Sequence, residues 1–269
     1  MKSVFFLFVL LLVFSTTAQE NINYRVPSQE ILSLADFERA PSVSMDTKKE
    51  FMLLSYRNTY KTLDDLNQEE IRLGGLRINP ITNISSTMSY INNLKIRKIS
   101  NKTEVQVSGL PNNPKIANIS WSPNEQKIAF TNTTNTGVEL WFINVVSAEA
   151  KKITEDNLNA NLGSPYNWMI DNETLLVKVL PKNRPALIDV KKDLPKGPTV
   201  MLSDGSKSQN RTYPDLLKNK VDEDNFDALV TSELYKVSLS GALELFKTQA
   251  IYTGESYSPD GKYLLLTTI

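Results

Sequence analysis

One pattern recurs four times along the chain: a short turn built from Asp, Asn, Pro or Gly, a Lys or Glu, and then an apolar strand. The copies occupy residues 42–55, 119–131, 167–178 and 256–267, and the fourth, Ser256-Tyr-Ser-Pro-Asp-Gly-Lys-Tyr-Leu-Leu-Leu-Thr267, is the cleanest. Pro fixes φ, Gly tolerates φ > 0, and the apolar run that follows is a buried strand, so each copy is an antiparallel hairpin. A repeated unit of this size cannot bury its apolar face alone and must stack on its neighbours. After the second copy, residues 138–144 form another strand, and residues 144–150 turn it into a fourth at 151–154. Such succession fills a four-stranded blade of the kind propellers stack radially. The expected fold class is all-β, with four-stranded antiparallel β-propeller blades in an incomplete ring and a short helical insertion.

The copies lie about 77, 47 and 90 residues apart, against roughly 40 to 50 for a regular blade, so two intervals carry insertions or a degenerate blade. The first, residues 63–94, contains Gly74-Gly-Leu-Arg-Ile-Asn-Pro80 followed by a tract rich in Asn, Ser and Thr. Gly and Pro break regular structure, and the short polar side chains bond their own backbone, which predicts an ordered polar loop. The second, residues 212–229, places Leu216, Leu217, Val221 and Leu229 near helical spacing, with Pro214 near the start. A short helix is expected there. Its acidic residues Asp222, Glu223, Asp224 and Asp227 lack the glycine and terminal Glu of a calcium loop, which leaves a solvated face.

Composition excludes several functions. The chain has 269 residues, 41% of them apolar, enough for a sizeable core. Thirty cations balance thirty carboxylates with no long basic run, which argues against nucleic acid as a partner. Lys2 precedes an apolar stretch at residues 4–14 and small residues at 15–18, the pattern of a secretory signal cleaved after Ala18. That stretch is shorter than the roughly twenty residues of a membrane span, so no stable membrane insertion is expected and the product is exported, to the periplasm or beyond. Residues 19–40 are then an N-terminal extension, and 41–269 a partial propeller. Without cysteine, stability must come from packing. Sequons at Asn83, Asn101, Asn118, Asn132, Asn172 and Asn210 are those expected by chance in a chain rich in Asn, Ser and Thr.

Acyl-transfer catalysis needs a nucleophile and a base, and the chain contains no His and no G-x-S-x-G elbow. Ser206 and Ser256 are turn serines. No catalytic residue, metal ligand set or cofactor site is assigned. Trp121, Trp141 and Trp168 lie beside blade turns and strands and are expected in packing. Asp64, Asp65, Glu69 and Glu70 flank a polar stretch and are expected in solvent.

Several segments together resemble the N-terminal half of the glutamyl-specific branch of the prolyl oligopeptidase family. They are Tyr24-Arg-Val-Pro-Ser-Gln-Glu-Ile31, Gly75-Leu-Arg-Ile-Asn-Pro80 with Asn83 and Met88-Ser-Tyr90, Trp121-Ser-Pro, Trp168-Met-Ile-Asp-Asn-Glu-Thr-Leu-Leu176, Thr212-Tyr-Pro-Asp-Leu-Leu217 and Asp224-Asn-Phe-Asp227. The resemblance implies a two-domain serine peptidase whose propeller gates peptide substrates above an α/β-hydrolase domain carrying Ser, Asp and His. That domain is missing here and would be supplied in cis, and the sequence ends inside a strand, as a truncated propeller would. Preference for Glu requires a cation for the substrate carboxylate. Arg77, with Asn83 and Ser86 nearby, is the candidate substrate contact, because a loop Arg beside amide and hydroxyl groups can bind an acidic group; the alternative is a structural role, capping loop carbonyls or pairing with a blade carboxylate. Thr87 stands where relatives often carry a second Arg. The competing expectation is a stand-alone envelope propeller that binds or scaffolds and has no enzymatic activity.

Overall fold

The computed structural model describes residues 25–35, 37, 39–189, 205 and 215–269. The signal segment, the start of the extension and residues 212–214 of the second insertion lie outside them. The chain divides into two compact units, Met1–Glu38 and Arg39–Ile269. In the first, helix α1 (Gln29–Ala35) has Ser33 Oγ donating to the Glu30 carbonyl at 2.8 Å. No helix among the described residues is long and apolar enough to cross a membrane.

The second unit holds three complete four-stranded antiparallel sheets. Blade 1 has the order β1 (Ser42–Met45), β2 (Phe51–Tyr56), β6 (Asn93–Lys98), β7 (Glu104–Gln106). Strands β3 (Ile71–Leu73), β4 (Leu76–Asn79) and β5 (Ile84–Ser85) belong to the first insertion. Blade 2 is β8 (Ile116–Trp121), β9 (Lys127–Thr133), β10 (Val138–Asn144), β11 (Glu149–Lys152). Blade 3 is β12 (Tyr166–Trp168), β13 (Thr174–Val179), β14 (Ser232–Ser238), β15 (Leu243–Ala250), and β16 (Tyr252–Tyr257) pairs with β17 (Leu264–Thr268) in a fourth. The described residues close no ring.

The recurring motif is the hairpin between the first two strands of every blade, and its turn has one geometry throughout. The amide of the fourth turn residue donates to the first carbonyl: Lys49 to Asp46, Glu125 to Ser122, Asn172 to Met169, Gly261 to Ser258. All four of these residues have φ between 57° and 70°, the left-handed region that costs an L side chain about 1 kcal/mol or more. Consecutive turns are tied together, since Glu125 accepts from the Thr47 amide at 3.0 Å and Asn172 accepts from the Asn124 amide at 2.7 Å.

Between blades lie apolar layers. Leu53, Leu94, Ile116, Ile128, Phe130 and Ile143 join blades 1 and 2, and Ala129, Leu140, Tyr166, Trp168, Leu175 and Val177 join blades 2 and 3. Trp168 is buried in that second layer, Trp141 stacks on Phe130 at 6.2 Å, and the Trp121 indole donates to Ser44 Oγ at 2.9 Å. Trp121 and Trp168 thus join neighbouring blades, while Trp141 stacks within blade 2. Tyr166 is buried with its hydroxyl donating to the Ala129 carbonyl at 2.8 Å, and burial raises its pKa.

Both insertions leave their blades between the second and third strands. The first is not the polar loop its composition suggests. It folds as helix α2 (Leu63–Leu66) and a small antiparallel sheet of β3 (Ile71–Leu73), β4 (Leu76–Asn79) and β5 (Ile84–Ser85). Gly74 and Gly75, at φ 58° and 79°, make the two-residue hairpin that favours glycine twice. The alternation Ile71, Leu73, Leu76, Ile78 supplies an apolar face that the surrounding Asn and Ser obscure in the sequence. In the second insertion the helix is α3 (Lys220–Val230), and it starts later than its leucine spacing suggests. Asn219 caps it by accepting from the Asp222 amide at 2.9 Å, leaving Leu216 and Leu217 outside the helix and exposed. Its acidic residues occupy the first turn and the open face, where Lys220 pairs with Asp224 at 3.0 Å.

Candidate functional site

The two insertions, distant in sequence, pack on each other. Leu73 and Ile78 of the small sheet meet Leu229 of α3, with Ile71, Leu76, Leu187 and Phe226 around them. A Cβ on Gly74 would lie 2.7 Å from the Phe226 ring, so only glycine admits the helix this closely. Asn159 and Asn161, in the connection from blade 2 to blade 3, donate to the Leu229 carbonyl at 3.0 and 2.8 Å. Blades 1 and 3 therefore share one cap, fastened to the segment between them.

Asn83 is a joint of this cap. It is buried at φ 56°, its carbonyl accepts from the Ala160 amide at 2.9 Å, and its side-chain oxygen accepts from Arg184 Nη1 at 2.6 Å. The Arg184 guanidinium is half-buried, and desolvation lowers its pKa. Asn83 is thus committed to holding the two insertions together, and its amide nitrogen donates to the Ile81 carbonyl at 3.2 Å.

Arg77 and Ser86 are brought together on the other side of the small sheet. Arg77 is exposed on β4 and directly opposes Arg72 on β3. Like charges in that register repel unless a carboxylate relieves them. Glu70 does so. It pairs with Arg72 and accepts from Ser86 Oγ at 2.6 Å, while the Ser86 amide donates to the Arg77 carbonyl at 3.1 Å. The Ser86 hydroxyl, then Arg72, with Arg77 adding to them, hold the Glu70 carboxyl below the usual glutamate range. Glu70 is therefore engaged, whereas Asp64 remains open to solvent. Among the described residues the Arg77 guanidinium has no hydrogen-bond or ion-pair partner, leaving one cation exposed beside a paired Arg–Glu–Ser set. Loop composition singles out Arg77 and Ser86, whereas Arg184 goes unmarked and Glu70, expected in solvent, is held by Arg72 and Ser86. For Arg184 and Glu70 the partners Asn83 and Ser86 lie 101 and 16 residues away, with no local pattern to mark them.

Ser86 also lines a polar cavity of about 210 Å³ together with Gln68, Asn79, Thr82 and Tyr90. Among the described residues no group of three or more acidic side chains is placed to hold a metal ion.

Comparison with known proteins gives consistent matches. Residues 83–179 match the family described as the dipeptidyl peptidase IV N-terminal region. A probable chloroplastic glutamyl endopeptidase of Oryza sativa subsp. japonica is 33% identical over 262 residues, covering 92% of this chain and 28% of that protein. Its counterpart in Arabidopsis thaliana is 33% identical over 261 residues, 91% of this chain and 27% of that protein. The chain therefore spans less than a third of the length of these curated relatives. Among solved structures, Pyrococcus horikoshii acylaminoacyl peptidase aligns with 84% of this chain and 27% of its own, at 13% identity and a TM-score of 0.40.

Proposed function

We propose that this chain, the N-terminal propeller portion of a prolyl oligopeptidase-family protein of the glutamyl endopeptidase-like branch, gates substrate in an exported serine peptidase that cleaves after Glu. The alignment with the two glutamyl endopeptidases over nearly the whole chain is the observation that carries this reading. The Ser, Asp and His of acyl transfer would come from an α/β-hydrolase domain in the same protein, since this chain has no His and cannot supply the general base. The propeller's part is positional. A rigid stack of blades limits which peptides reach the triad, and groups on its insertions select among them by charge.

Arg77 is the proposed contact for an acidic side chain. It is exposed, free of partners among the described residues, and its fork matches a carboxylate bidentately. Ser86 and Glu70 fix the strand edge from which it projects, and Asn83 acts one step back, through the joint between the insertions. In the complete peptidase, Arg77→Ala is expected to lower kcat/KM for Glu peptides by about tenfold or more and to leave Gln isosteres nearly unchanged. Identical kinetics on Glu peptides would remove Arg77 from substrate recognition.

A further inference from the structure

Beside the polar cavity at Ser86 lies a larger one of about 750 Å³, and the two share Asp64, Asp65, Met88, Tyr90 and Lys115 as common walls. It forms where the neck of the first insertion meets the connection from blade 1 to blade 2. The neck is closed by Asn92, whose amide donates to the Tyr56 carbonyl at 2.8 Å and whose side chain donates to Asn58 at 2.6 Å. Those bonds fix the backbone on either side of Arg57.

The charges around this cavity do not balance. Arg39, Arg57, Lys61 and Lys115 line it against Asp64 and Asp65. Asp65 is engaged in the α2 cap, where it accepts from the Thr62 amide at 3.0 Å and the Thr62 hydroxyl at 2.8 Å, and Asp64, largely exposed, lies 3.7 Å from Lys115. Lys61 donates to the Thr87 carbonyl at 3.1 Å. Arg39 and Arg57 are exposed and have no hydrogen-bond or ion-pair partner among the described residues. Two guanidiniums left open on one concave surface, among amide side chains that can donate further hydrogen bonds, suit a ligand with more than one carboxylate.

We infer that this cavity is a second anionic subsite, which takes an acidic stretch of peptide through Arg39 and Arg57. The inference deepens the proposed function and rests on it for the peptide nature of the ligand. Acidic residues away from the scissile bond would be held here, apart from the residue at the bond, whose proposed contact is Arg77. Charge also predicts that the interaction weakens as ionic strength rises, because both arginines are solvent-facing.

The test is calorimetric titration of the 269-residue chain with a blocked peptide carrying three consecutive Glu, its Gln isostere, and inorganic phosphate. The Glu peptide is expected to bind about tenfold or more tightly than the Gln peptide, and the Arg39→Gln/Arg57→Gln variant to lose that margin. Arg57→Lys, which keeps the charge without the fork, is expected to lose part of it, and gives the answer should the double variant fail to fold. Equal affinity for the two peptides, an unaffected double or single variant, or tighter binding of phosphate than of the Glu peptide would each overturn the subsite. The outcome is separable from the peptidase proposal, because binding by this chain involves no hydrolysis. Binding together with an inactive complete protein defeats only the proposed function, and hydrolysis without this binding defeats only the subsite.

Discussion

Each of the four blade turns places one residue in the left-handed region, yet only one of these four is glycine. Lys49, Glu125 and Asn172 occupy the position that Gly261 fills in the last turn. Glu125 and Asn172 gain from it by bonding to the preceding turn, whereas Lys49 gains no such contact from its side chain. Lys49→Gly is therefore expected to stabilise the chain by up to about 1 kcal/mol, read as a rise in the urea midpoint without a change in slope. Gly261→Ala should do the opposite, since a Cβ there would lie 2.2 Å from Ile170 in a backbone conformation that already disfavours it. A midpoint unchanged by Gly261→Ala would show that this turn is not packed as described. Glu70 offers a pH observable. Its pKa is depressed in the folded chain, so its contribution is present above the unfolded pKa and is lost as pH falls through the lower folded value. Removing the hydroxyl with Ser86→Ala should move the Glu70 titration upward in an NMR pH series, and an unmoved titration would break the Glu70–Ser86 link.

At the scale of elements, the blade hairpins were legible because a turn declares itself within a few residues, through Pro, Asp, Asn or Gly and the apolar run after it. The insertions were legible only in part. Residues 63–94 read as loop because Asn, Ser and Thr dominate the composition, but the fold is decided by Ile71, Leu73 and Ile78, whose partner Leu229 is distant in sequence. In the second insertion the leucine spacing located a helix, and Asn219, whose side chain accepts from the Asp222 amide, sets its start. The same distance hid half of the site. Arg77 and Ser86 share the first insertion, but the Arg184 that holds Asn83 comes from the chain between β13 and β14. Truncating Leu229 to Ala should cost roughly 2 to 5 kcal/mol and release both insertions together. Hydrogen exchange would show this as faster exchange in β3 and β4 as well as in α3, and loosening confined to α3 would contradict a shared cap.

Across the whole molecule, the blades are joined by more than apolar layers. Lys178 of blade 3 is buried against Glu255 of β16 at 3.6 Å, and it donates to the Tyr252 carbonyl at 2.9 Å and the Leu162 carbonyl at 3.2 Å. Burial lowers the Lys178 pKa despite its partner. Breaking such a pair leaves an uncompensated charge, so Glu255→Leu alone should destabilise by about 3 kcal/mol or more, while the Lys178→Met/Glu255→Leu double variant should recover most of the loss. Additive single and double effects in thermal melts would show that the two groups do not interact. On the proposed function, the blade stack, with both insertions joined in one cap, selects substrate, and the acyl-transfer chemistry lies outside these 269 residues. A fluorophosphonate probe that labels activated serines, applied to this chain and to the complete protein, distinguishes the possibilities. Labelling is expected in the complete protein, at a serine beyond this chain, together with hydrolysis of Glu peptides. Labelling of any serine within residues 1–269, or a complete protein that neither labels nor hydrolyses them, would overturn the proposed function.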